Sequence, residues 1–295
     1  MLSPKFFKYF FKVAVYTLLA GFLLYGLQLL ARVYICDKFT VPSGSMVPTL
    51  IPGDRILVNK RIFGARIYDK FDFSEGAPLV SHRLKGKRGI QPNDIVVFNF
   101  PLSPSLEKVA FKINYVYVKR CIGTPGDSVS IINGDFKNNR YSGDLGIPLR
   151  QRELSFMDSL YIAHISRALG KTLYKEWSLL NFGPLYIPAA GSRIPLNEET
   201  FRLYRLYIEW ETGQALTGDG GGTFYLGGKP LDSYVFTRNY YFMCGDNVPA
   251  SYDSRFWGLV PEDFIVGVVS RILYSKDKYN GSFVKSRFFR KMEYF

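Results

Sequence analysis

Histidine is almost absent: the 295-residue chain has two, His82 and His164. Neither sits in a pattern with a partner, which argues against a Ser-His-Asp triad. There is no Gly-x-Ser-x-Gly elbow. There is no His-Glu-x-x-His either, so no zinc ligand set is expected, and no other cofactor is. Cysteine is also scarce. Cys36, Cys121 and Cys244 are odd in number and far apart, which does not make a disulfide framework. A Cys121–Cys244 bridge requires their strands to meet; small buried thiols are the plainer expectation. The glycine run Asp219-Gly220-Gly221-Gly222 lacks the Gly-Lys-Ser/Thr of a P-loop and is expected as a flexible hairpin loop. Despite a net charge of +13, no helix-turn-helix, zinc-finger or RNP-type motif is present, so no nucleic-acid partner is expected.

Aromatic residues, in contrast, make up 17% of the chain, a content suited to strands and to membrane interfaces. The hydrophobic fraction of 47% is that of a folded protein. Residues 13–30 read VAVYTLLAGFLLYGLQLL without a charge, and a span needs about 20 such residues. This core is longer than that of a cleaved signal peptide and lacks a small-x-small site after it. Residues 13–33 are therefore expected as a retained transmembrane anchor. Lys5, Lys8 and Lys12, with no acid among them, place residues 1–12 in the cytoplasm by the positive-inside rule. The rest of the chain is then extracytoplasmic.

Strands are expected at 55–58, 94–100, 115–119, 128–132, 234–243 and 264–274, with a hairpin turn at Asn133-Gly134. Helices are expected at 153–169 and at 197–211, the second capped by Asn197 and ended by Gly213. Together these predict a mainly β domain at 34–134 and 233–280, interrupted by an inserted α+β subdomain at 135–232. A basic, aromatic tail at 281–295 is suited to lipid headgroups or to solvent.

Three segments carry chemical groups. In Val41-Pro42-Ser43-Gly44-Ser45-Met46-Val47-Pro48-Thr49-Leu50, two serines two apart project to one side of an extended chain. One can be a nucleophile and the other an oxyanion donor; a polar turn after the anchor is the bland alternative. In Tyr115–Asp127, Lys119 ends an apolar and aromatic run. An inward lysine is desolvated and its pKa falls toward the range of a general base, although most strand lysines reach solvent. In Gly245–Gly258, Asp253 and Arg255 can pair, and Ser251 or Ser254 can orient a lysine.

Together and in this order, the three segments resemble the sequence boxes of bacterial type I signal peptidases, the serine–lysine leader peptidases. The shared elements are Ser-Gly-Ser-Met-x-Pro-Thr-Leu, Lys-Arg-x-x-Gly-x-Pro-Gly-Asp and Gly-Asp-Asn…Ser-x-Asp-Ser-Arg-x-Trp-Gly, with Asn-Asp-Ile-Val-Val-Phe at 93–98. The resemblance implies a signal-peptidase-like β domain. It also implies Ser45 as nucleophile, Lys119 as general base, Ser43 as oxyanion donor, and Ser251 as a hydrogen-bond partner of the lysine. Asp253 and Arg255 would hold the third box, and Val41, Leu50 and Val118 would line pockets for small side chains. The implied partners are signal peptides of exported preproteins and the bilayer, near the secretion translocon. The chain departs from the pattern at Val248-Pro249-Ala250, where many members carry an arginine and other polar groups. A maturation protease with one dedicated substrate and an inactive signal-peptide-binding relative are the alternative readings.

Overall fold

The computed structural model describes residues 4–74, 77–172 and 177–292. A helix, α1 (Pro4–Tyr34), comes first. Its Lys8–Tyr34 portion is long and apolar enough to cross a membrane and is not buried against the protein. Leu18, Phe22 and Leu24 are among its exposed side chains.

The body is a seven-stranded antiparallel sheet. Its strands are β1 (Cys36–Thr40), β2 (Asp54–Asn59), β3 (Ile95–Asn99), β4 (Val116–Gly123), β8 (Tyr240–Cys244), β9 (Val260–Pro261) and β10 (Ile265–Ser275). They lie in the order β1-β2-β10-β3-β4-β8-β9. Strand β5 (Ser128–Ile132) joins β6 (Asp135–Asn138) and β7 (Phe182–Tyr186) in a second sheet, ordered β6-β5-β7. The β5–β6 hairpin turns at Asn133-Gly134, both at positive φ.

All six expected strands are found, 128–132 with its expected ends and the others with shifted ends, but 234–243 is two. Ser233–Val235 and Tyr240–Cys244 are separated where the backbone bends so that the Thr237 N–H donates to Glu211 Oε2 at 2.7 Å. The helix expected at 153–169 is also broken. A 3-10 turn ends at Phe156, Met157 is extended, and α2 (Ser159–Thr172) starts where the Tyr161 N–H donates to Asp158 Oδ1. Helix α3 (Glu198–Thr212) has the expected cap. Asn197 and Thr200 form a capping box, and Gly213 closes the helix at φ 67°. Tyr204 and Ile208 bury its inner face and Phe201 packs beside them. Asp219 accepts from the Gly221 and Thr223 N–H groups, closing the expected hairpin loop.

Two apolar clusters fill the molecule. The larger runs from Phe98 and Trp257 through Phe182 and Phe242 to Leu154 and Tyr207, so residues of 135–232 share one core with the β domain. The smaller holds Val41, Met46, Leu50, Ile56, Val97 and Met292. Met292 brings the end of the tail into this second core. Arg287 is buried too, and donates from Nε to Asp54 Oδ1 at 2.7 Å and from Nη2 to Asp54 Oδ2 and the Thr49 carbonyl. Phe283, Phe288 and Phe289 remain exposed.

Candidate active site

Alternation along β4 sorts its side chains. Val116 and Val118 pack on the smaller cluster, while Tyr117 packs against Phe98 and Phe100 of the larger. Lys119 follows Tyr117 inward, 2% exposed, with Nζ 5.9 Å from the Tyr117 ring centroid. Strand β8 pairs with β4 only at Arg120–Gly123, and β3 covers the opposite edge. Among the described residues the edge of β4 at 116–119 is therefore unpaired on one side, and it borders a groove of about 970 Å³. Val41, Ile56, Val97 and Val118 give that groove an apolar wall, and Ser43, Ser45 and Lys119 open onto it.

Lys119 Nζ donates to Ser45 Oγ at 2.5 Å. Burial pushes the Lys119 amine down from its ordinary 10.5 to about 8, Asp253 opposing the shift and Arg255 adding to it. An amine poised there loses its proton readily, and the hydrogen bond can then reverse so that the hydroxyl donates. The Ser43 hydroxyl has no partner among the described residues and is exposed in the groove. Among the described residues, no group of three or more His, Cys, Asp or Glu side chains is arranged to hold a metal.

The third box is largely buried. Arg255 donates from Nε to Asp253 Oδ1 at 2.8 Å and from Nη2 to Asp253 Oδ2 at 2.9 Å, with both side chains inaccessible. Burial alone drives the Asp253 carboxyl upward, but Arg255, together with Lys119 and the Gly245 N–H, holds the group below its ordinary value. Asp253 Oδ2 also accepts from the Gly245 N–H, and Ser254 Oγ accepts from Met243 N–H, which pins the box to β8. At Gly245 a Cβ would lie 2.1 Å from Ser251 Oγ and 2.5 Å from the Ser45 carbonyl oxygen. Only glycine allows this approach.

Ser43, Ser45, Val41, Val118 and Lys119 thus meet at one groove, and Asp253 with Arg255 lies behind it. Two expected residues behave differently. The Ser251 hydroxyl is buried but unpaired, so the expected bond to Lys119 is not made; Nζ instead engages Ser45. Leu50 is fully buried in the smaller cluster and does not line the groove.

A polar network not expected from the sequence ties the three boxes together. Arg120 pairs with Asp246 at 2.7 Å through both Nε and Nη2, and donates from Nη1 to the Asn93 carbonyl. Thr49 donates to Asp246 Oδ2. Asn247 donates its N–H to the Ser45 carbonyl and its Nδ2 to the Gly44 carbonyl, each at 3.0 Å. The available signal was membership of the boxes themselves: Thr49, Arg120, Asp246 and Asn247 each stand within five residues of an assigned side chain.

The cysteines carry no bridge. Cys121 and Cys244 are free and buried, and burial raises both thiols well above their ordinary range. Cys36 is free and partly exposed.

Comparison with known proteins agrees with this arrangement. The family model described as signal peptidase, peptidase S26, matches residues 14–151 and 215–274. Signal peptidase I of Aquifex aeolicus is 28% identical over 255 residues, covering 86% of this chain and 82% of the relative. Signal peptidase I of Helicobacter pylori strain 26695 is 30% identical over 246 residues, covering 81% of this chain and 75% of the relative. Signal peptidase I of Buchnera aphidicola from Schizaphis graminum is 28% identical over 257 residues, covering 84% of this chain and 70% of the relative. The matched residues span all three boxes, and the chain belongs to the signal peptidase family, peptidase S26.

Proposed function

We propose that this protein is a membrane-bound serine endopeptidase that removes signal peptides from exported preproteins with a Ser45–Lys119 dyad. The observation that carries the reading is the 2.5 Å contact between Ser45 Oγ and a lysine amine 2% exposed to solvent. Helix α1 serves as a single-pass anchor with the N-terminus in the cytoplasm, which places the β domain outside, near the site where preproteins emerge.

An extended substrate pairs its backbone with the free edge of β4 and sets small side chains against Val41 and Val118. Neutral Lys119 accepts the Ser45 proton as Oγ adds to the scissile carbonyl. The Ser43 hydroxyl and the Ser45 N–H donate to the resulting oxyanion. The Lys119 ammonium then protonates the leaving amine, and an ester on Ser45 remains. Lys119, neutral again, takes a proton from water, whose oxygen attacks the ester and releases the signal peptide. Support for Ser251 as the group orienting Lys119 in this second half is its buried, unpaired hydroxyl beside Gly245.

The test is cleavage of a purified preprotein in detergent by the wild type, Ser45→Ala and Lys119→Ala. Both variants are expected to lose more than about 10³-fold in kcat. Retained activity in either one removes the dyad assignment.

A further inference from the structure

Between Asn247 and Ser251 this chain has the apolar stretch Val248-Pro249-Ala250. These residues form a 3-10 turn, and Val248 is packed into the core at 1% exposure. The turn follows directly after Asn247, whose two donors hold the carbonyls of Gly44 and Ser45. Those carbonyls belong to the nucleophile and the residue before it, so their orientation governs where Ser45 Oγ and the Ser45 N–H point.

An asparagine side chain has a donor end and an acceptor end related by a half-turn about χ2. The reversed orientation would aim Oδ1 at the Gly44 carbonyl, oxygen against oxygen. A group that only donates, placed at Oδ1, excludes it. Arg150 is that group: its Nη2 donates to Asn247 Oδ1. Arg150 comes from the short helix Pro148–Arg152, outside the three boxes, and that helix packs on the 248–250 turn. Its other terminal nitrogen donates to Glu153 Oε1 at 2.6 Å, which fixes the guanidinium plane.

We propose that Arg150 is a positioning residue for acylation, holding Asn247 in the one orientation that fixes the Gly44 and Ser45 peptide units. This rests on the assignment of Ser45 as nucleophile. Arg150 thereby supplies, from another part of the chain, polar support that the Val248-Pro249-Ala250 turn does not.

The experiment measures kcat, KM and Tm of the full chain in detergent for Arg150→Met, Arg150→Lys, Asn247→Ala and the double variant Arg150→Met/Asn247→Ala. Arg152→Met, at an exposed neighbour, is the control and is expected to match the wild type. Arg150→Met is expected to lower kcat by about 10- to 100-fold, with KM within about twofold, because misplacement of reacting groups by about 1 Å has effects of up to that order. Arg150→Lys keeps a donor and should recover most of the loss. The double variant should be no slower than Asn247→Ala alone, since Arg150 acts through Asn247. A wild-type kcat in Arg150→Met, with or without a lowered Tm, overturns the proposal. So do losses that multiply in the double variant. Activity surviving in Ser45→Ala would instead defeat the nucleophile assignment, whatever Arg150→Met does.

Discussion

Lys119 joins chemistry to cost. Its neutral form is the base, so kcat/KM is expected to rise with pH through a midpoint near 8 and then level off. A midpoint near 10.5, where an exposed lysine titrates, would show that the amine is not buried in solution. The same shift affects folding. Between about 8 and 10.5 the unfolded chain binds a proton at this site that the folded chain does not, so stability rises with pH across that window. Below about 8 both states are protonated and the penalty is present in full. Lys119→Met should therefore be inactive but more stable than the wild type at pH 7, by up to about 3 kcal/mol. Denaturant unfolding of the two proteins at pH 7 checks this, and a less stable variant would refute it.

At the scale of elements, turn and cap chemistry placed the hairpin at Asn133-Gly134 and the ends of α3, because those signals act within a few residues. The break in the 234–243 strand was hidden. It depends on Glu211, more than 20 residues earlier, accepting from Thr237 and from the Tyr234 and Tyr240 hydroxyls. Helix α3 stands in the part of the chain that the family model leaves unmatched, 152–214. Its cap is local, and its loss should stay local. Asn197→Ala is expected to cost about 1 kcal/mol in stability, read as a lower Tm, with kcat unchanged. A large fall in kcat would reveal coupling between this helix and the dyad.

The whole molecule closes on itself through its tail. Arg287 meets Asp54 and the Thr49 carbonyl, and Arg120 reaches the Thr49 hydroxyl oxygen at 3.4 Å, so two buried arginine–aspartate pairs converge on one residue behind the nucleophile. Arg287→Met would leave the Asp54 carboxylate buried without its cation. A loss of about 3–5 kcal/mol is expected, measured by denaturant unfolding, with part of it recovered in Arg287→Lys. A variant as stable as the wild type would mean that the tail only rests on the surface. The basic, aromatic composition of 281–295 suggested solvent or lipid. It concealed the one arginine and the one methionine that turn inward, since composition does not specify which side of a chain is covered.

The apolar helix and the mainly β body were legible from residue order alone, because hydrophobic runs and strand patterns act through neighbouring residues, whereas Ser45 and Lys119, 74 positions apart, were linked only by the resemblance of their segments to a known family. The lowered pKa of Lys119 was conditional on its facing inward, which the alternation of β4 between two cores decided. Leu50 and Ser251 show the limit of carrying roles across by motif. Leu50 has the residue type of a pocket wall but is claimed by the core, and the Ser251 hydroxyl is buried beside Gly245 without a partner while Lys119 donates to Ser45. Arg150, Asn247 and the Thr49–Arg120–Asp246 network emerged only from the fold. Their contacts join residues roughly 70 to 200 positions apart, and only tertiary packing brings such groups within hydrogen-bond distance.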